Sequence, residues 1–299
     1  MMRWLVRGLG GLLLLALVLA AGVFFESQRR LGRTIEVSAA EIELPDADDT
    51  DALERGEHLA VIRGCAGCHG ADYGGETVVD DPAVGFLHAP NLTAGAGSVV
   101  DGYETEDWVR AIRHGVARDG RPLIMMPSEE YTVMDETDLG AMIAYLGTMP
   151  EVDRASPELR VGPMARVLLL KGDIQLAADH IDHVRPIKRA PSPNDLVAYG
   201  EYLATTCTGC HGPEFSGGKI PGAPPDWPES ANLTPHEETG LGGWSESDFV
   251  TTLRTGRRPD GRALSEVMPV AQFGQFKAGE MRALWSYLQS LPPKEAGNR

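Results

Sequence analysis

The chain has 299 residues, with 43 acidic side chains against 27 Lys and Arg, and a formal net charge of −16. That length leaves room for more than one domain, and 42% hydrophobic with 23% charged residues is a globular composition. The acidic balance excludes a nucleic-acid partner as an expectation and favours basic protein surfaces.

Residues 1–30 read as a membrane signal. Arg3 and Arg7 precede residues 8–25, a run of 18 without a charge. As a helix this run spans about 27 Å, close to the hydrocarbon thickness of a bilayer. The rival reading is a cleaved signal peptide, with Val18-Leu19-Ala20 as a weak cleavage site. The apolar run continues through Val23-Phe24-Phe25 and stops at Arg29-Arg30, so an uncleaved anchor is the expectation. The positive-inside rule then leaves the amino-terminal arginines in the cytoplasm and exports the rest. Residues 31–50, acidic and interrupted by Pro45, read as an extended tether.

Residues 51–150 contain Cys65-Ala66-Gly67-Cys68-His69, and residues 195–293 contain Cys207-Thr208-Gly209-Cys210-His211. C-x-x-C-H is the attachment signature of c-type haem. Two thiols add to the two vinyl groups of one haem, and the following His binds its iron. A zinc site would pair two such motifs at closer range. All four cysteines of the chain lie in these motifs, so the expected cofactors are two haem c, and none is left for a disulfide.

The motifs belong to an internal repeat. Asn91-Leu92-Thr93 matches Asn232-Leu233-Thr234, and Asp119-Gly120-Arg121 matches Asp260-Gly261-Arg262, both pairs at the same offset. The offset is one position longer for the motifs themselves and for Tyr145-Leu146 against Tyr287-Leu288, and longer again for Gly56 against Gly200. Helices are expected over 55–65, 106–114 and 135–146 in the first copy and over 199–207, 246–255 and 279–291 in the second. The fold class is therefore all-α, with two tandem domains each wrapped around a covalent haem after an amino-terminal transmembrane helix. Residues 151–194 have no second copy and read as a packed connector. Within it, His180 and His183 read as facing solvent or a haem propionate rather than as metal ligands.

A Met at the sixth iron position makes a high-potential electron carrier, whereas an open position allows ligand chemistry. Met126-Pro127 and Met268-Pro269 supply candidates. Met126 lies as far beyond His69 as Met268 lies beyond His211. The expected iron ligands are His69 and Met126 in one domain and His211 and Met268 in the other, with Met125 the alternative in the first. His58, His88, His114 and His236 are not shared by the two copies and are not expected to be ligands. The carbonyls of Pro90 and Ala231 are expected to orient the two imidazoles. Arg121 and Arg262 pair with propionates or lie exposed.

On these motifs, with Gly-Trp-Ser-Glu-Ser-Asp-Phe at 243–249, the chain resembles the class I c-type cytochromes, twice over. More closely, it is similar to the cytochrome subunits that accept electrons in alcohol, gluconate and related dehydrogenases. The resemblance covers about two thirds of the chain. It implies electron transfer on the outer face of a bacterial cytoplasmic membrane, between a membrane-bound dehydrogenase or respiratory complex and an acceptor cytochrome or oxidase. Those subunits usually have three haem domains and a membrane-binding tail at the carboxyl end; this chain has two domains and an amino-terminal anchor. The alternative is a di-haem enzyme, a peroxidase or a thiosulfate-oxidising cytochrome. A peroxidase needs a haem that opens, and both copies keep a Met. The thiosulfate enzymes typically use a Cys ligand, and no fifth Cys exists.

Overall fold

The computed structural model describes residues 2–298. A helix of 30 residues, α1 (Met2–Leu31), opens the chain. Its segment from Arg3 to Leu31 is long and apolar enough to cross a membrane, with a mean hydropathy of 2.5 over its most apolar window. The next residues run extended, as the tether reading requires, but they lie on the first domain. The Ile35 N–H donates to the Gly120 carbonyl (2.8 Å), and Ile42 is buried.

The first domain comprises α2 (Thr50–Ile62), the short α3 (Cys65–His69), a hairpin of β1 (Glu76–Asp81) and β2 (Gly85–Ala89), α4 (Thr105–His114) and α5 (Glu136–Gly147). The predicted helices hold to within a few residues. The exception is 55–65, where the helix starts at Thr50 and stops just short of the motif, at Ile62. Gly64 takes a left-handed conformation there (φ 78°), and this turns the chain into α3.

The molecule is mostly helical, as the all-α reading expects, and one small hairpin is added to that plan. β1 and β2 pair antiparallel, and β3 (Arg160–Val161), from the connector, adds to β2. The Asp81 side chain closes the turn by accepting from the N–H groups of Ala83 and Val84, both at 2.8 Å. The second copy cannot make this hairpin. Its equivalent stretch carries Pro221, Pro224, Pro225 and Pro228, which lack the N–H groups a ladder needs. After β3 the connector forms α6 (Pro163–Lys171), which packs on the last turns of α1. The Arg166 guanidinium lies 4.6 Å from the centre of the Phe24 ring and donates to Ser27 Oγ (2.8 Å).

The second domain repeats the helical plan with α7 (Leu196–Ala204), α8 (Thr208–His211), α9 (Glu246–Thr255), α10 (Val270–Phe273) and α11 (Ala278–Ser290). Each domain is organised on one helix crossing, α2 on α5 and α7 on α11. A glycine sits at each crossing. A Cβ on Gly56 would lie 2.0 Å from the Ala141 carbonyl oxygen, and one on Gly200 would lie 2.0 Å from that of Ala283. The backbones therefore touch only because these residues have no side chain. The third helix of each repeat, α4 or α9, begins where an aspartate accepts the N-cap N–H (Asp107 from Glu104, Asp248 from Ser245) and ends on a left-handed glycine, Gly115 or Gly256. One buried cluster runs through both domains, from Leu59, Ile62 and Met142 to Leu203, Phe276, Met281 and Leu284.

Candidate haem-attachment sites

The loop after each motif is built the same way twice. Gly75 N–H donates back to the His69 carbonyl (2.9 Å), and Gly217 N–H to that of His211 (3.0 Å). Tyr73 and Phe215, non-glycine residues with φ of 55° and 57°, occupy the bend. Their carbonyls accept from Leu92 N–H (2.8 Å) and Leu233 N–H (2.7 Å). This ties each motif to its Asn-Leu-Thr segment. Within that segment Asn91 Oδ1 accepts from Thr93 N–H (2.9 Å) and Thr93 Oγ1 (2.8 Å), and Asn232 does the same for Thr234 at the same distances. Both asparagines are buried, so their N-x-Thr pattern serves structure and not glycosylation. These loops were not singled out from the sequence, although His-Gly-x-x-Tyr/Phe-x-Gly runs from His69 to Gly75 and again from His211 to Gly217.

The segment so fixed presents one carbonyl to each imidazole. His69 Nδ1–H donates to the Pro90 carbonyl (2.9 Å) and His211 Nδ1–H to that of Ala231 (2.7 Å), the partners expected from the repeat. A carbonyl only accepts, so each ring carries its proton on Nδ1 and keeps the Nε2 lone pair for a metal. Burial also holds His69 below the usual histidine range and so favours the neutral ring, an effect that the Pro90 bond partly offsets. None of the four cysteines is in a disulfide. Burial pushes the Cys65 and Cys207 thiols up to about 12, and raises Cys68 too, with Glu76 adding to it. Two thiols and one Nε2 per loop fit the covalent and axial demands of haem c.

The loops carrying the methionines are also duplicated. Leu123 N–H donates to Gly115 O and Leu264 N–H to Gly256 O, both at 2.7 Å. Further on, Ser128 N–H donates to Met126 O (2.9 Å) and Val270 N–H to Met268 O (2.8 Å). The offset between copies lengthens by one position from the first pair to the second, so the insertion falls just before Met268. Both methionines pack on the shared core. Arg121 and Arg262 are exposed and pair instead with Asp119 and Asp260 in their own turns. Other histidines meet protein groups: His58 Nε2 lies 2.7 Å from Glu280 Oε2, and His114 Nδ1 lies 3.1 Å from His183 Nδ1. His183 therefore faces His114, contrary to the solvent- or propionate-facing expectation.

The segments just ahead of the two motifs meet across the domain boundary. Arg63, just before the first motif, donates to Thr205 Oγ1 (2.7 Å) and to the Tyr202 carbonyl (3.2 Å), just ahead of Cys207. Tyr131 OH donates to the Arg63 carbonyl (3.1 Å). Arg55 grips Asp138 with two bonds of 2.8 Å and reaches Glu280 at 3.3 Å. His58 bonds Glu280, while Tyr202, its counterpart in the repeat, bonds Asp138, the counterpart of Glu280, at 2.6 Å. The boundary thus has approximate two-fold character, with each half supplying one acid and one partner.

Comparison with known proteins agrees with this geometry. Residues 51–146 match the family described as cytochrome C oxidase, cbb3-type, subunit III, and residues 197–292 match cytochrome c. The chain is 26% identical to the cytochrome c subunit of alcohol dehydrogenase (quinone) from Gluconobacter oxydans (strain 621H), over 90% of this chain and 61% of that protein. It is 28% identical to the gluconate 2-dehydrogenase cytochrome c subunit of Pantoea cypripedii, over 85% of this chain and 63% of that one. It is 26% identical to a diheme cytochrome c-type protein of Cereibacter sphaeroides, over 82% of this chain and 88% of that one. The chain thus spans about three fifths of the length of the two dehydrogenase subunits. With two C-x-x-C-H loops in two matching folds, it contains two cytochrome c domains that carry two haem c, and it is homologous to cytochrome c subunits of dehydrogenases.

Proposed function

We propose that the chain is an electron carrier with no substrate of its own, relaying electrons from a dehydrogenase or quinol-oxidising complex to an acceptor cytochrome or oxidase. The observation that carries this reading is the duplicated Met loop. A Met in the same hydrogen-bonded register in both copies supports six-coordinate iron in both, which suits electron transfer and leaves no open position for an enzyme. Met126, not Met125, shares that register with Met268. His69 and His211 would bind the iron through Nε2, and Cys65, Cys68, Cys207 and Cys210 would form the thioethers. Haem supplies the one-electron couple; the protein supplies orientation, burial and a fixed distance. The apolar α1 supports attachment to a membrane, and the packing of its last turns on α6 supports its retention in the mature protein. The haem domains then sit on the extracytoplasmic side.

The test is the weak long-wavelength absorption band of Met–iron ligation. Met126→Ala and Met268→Ala each remove half of it and lower one potential. Loss on Met125→Ala instead reassigns the ligand in the first domain. A band absent from the native protein defeats the carrier reading. Amino-terminal sequencing of mature protein checks the anchor, and a start at Ala21 or just after it contradicts retention.

A further inference from the structure

The residue four positions after each candidate Met reaches out of its own domain to the haem-attachment region of the other. In the second domain this residue is Gln272, whose side-chain amide donates to the Ile62 carbonyl (3.2 Å) just ahead of the first motif. In the first domain it is Glu130, which is 9% exposed. Its carboxylate accepts the backbone N–H of Gly209, between Cys207 and Cys210. Glu130 Oε1 stands so close over that glycine that a Cβ there would come within 2.4 Å. Two equivalent positions thus carry a neutral amide on one side and an ionisable acid on the other.

From this placement we infer that Glu130 is a proton site coupled to the second haem, gaining a proton from solvent when that haem gains an electron. The inference rests on the electron-transfer reading above. The balance is one electron in from the upstream donor and one proton in from water, the carboxylate becoming the carboxylic acid. Added negative charge beside a carboxylate favours its protonated form. The surroundings set the range. Burial, with Glu129 next to it, pushes Glu130 up to about 8, opposed by the Arg63 guanidinium and the Gly209 N–H. The other ionisable groups near it are the Cys207 thiol, consumed in the thioether, and Tyr131, which burial keeps protonated. Arg63 is itself buried, so its guanidinium is held beside Glu130, where it opposes the upward push of burial on that carboxyl.

Potentiometric titration of the full-length protein, followed by its visible spectrum between pH 6 and 10, tests this. The expected result is that one of the two potentials falls as pH rises around 8. E130Q, which installs the amide already used at position 272, flattens that fall. Redox-triggered infrared difference spectra give an independent readout, a protonated-carboxyl band in native protein that E130Q loses. Two haems with an unchanged pH profile and an unchanged carboxyl band in E130Q overturn the inference alone. Fewer than two haems in the native protein overturn it together with the electron-transfer reading.

Discussion

Gly217 shows how much one missing methyl group decides. Its φ is 71°, and a Cβ would lie 2.3 Å from the Ser230 carbonyl oxygen and 2.5 Å from that of Ala231. The second carbonyl is the one that holds the His211 ring. Gly217→Ala therefore carries left-handed strain, about 1–2 kcal/mol, together with a collision that moves the imidazole's acceptor. We expect a loss of at least about 2 kcal/mol in chemical denaturation, together with a drop in haem content from two per chain toward one. Native denaturation and full haem content in this variant contradict the role assigned to that loop. The Cys and His residues of the site were legible because haem attachment demands them at fixed spacing. Gly75, Gly217, Tyr73 and Phe215 were not, because a composition of 35 glycines hides which two bear on an imidazole, and left-handed backbone leaves no mark on a Tyr or Phe codeword.

At the scale of elements, helical periodicity located α4, α5, α9 and α11, since their apolar residues repeat on one face. The hairpin escaped because β1 lies mostly exposed and carries no alternating pattern, while β3 comes from the connector, beyond both α4 and α5 in the chain. The ties between α2, α5 and α11 also escaped. Nothing in the sequence pairs Arg55 with Asp138, which stands on the packed face of α5, or with Glu280, which belongs to the other domain. Removing Arg55 leaves Asp138 and Glu280 buried without their cation. Arg55→Met is expected to cost about 3 kcal/mol, measurable as a lower denaturation midpoint. Glu280 adds a pH dependence. Burial works to raise it, but His58, the Lys277 N–H and Arg55 outweigh that and leave it below its usual value of 4.5. A depressed carboxylate contributes stability that is whole above its unfolded value and lost as pH falls through the folded one. The native protein should therefore weaken below about pH 4.5, and Glu280→Gln should lose that part of the acid dependence. An identical acid profile in the variant rules the contribution out.

Across the whole molecule, one core and one ion-paired boundary hold the two attachment loops in a fixed relation, with Arg63 touching the residues just ahead of Cys207. Passage of an electron between the haems then needs no diffusion and no ionic encounter. Exchange with a partner protein does. The first domain, residues 51–150, has 17 acidic and 6 basic residues, a net −11; residues 195–293 have 12 and 7, a net −5. Surface attraction to a basic redox partner is screened beyond a Debye length of about 8 Å at physiological salt. Stopped-flow reduction by a basic redox protein should therefore show two phases. The bimolecular phase should slow as salt rises, most steeply where the first domain is the entry point. The following redistribution between haems should stay constant across the same series. Equal salt slopes in Met126→Ala and Met268→Ala proteins remove the basis for separate docking faces. A salt-dependent second phase goes further, because it means that the domains separate in solution and that the boundary of Arg55, His58, Tyr202 and their acids does not fix the distance over which the electron moves.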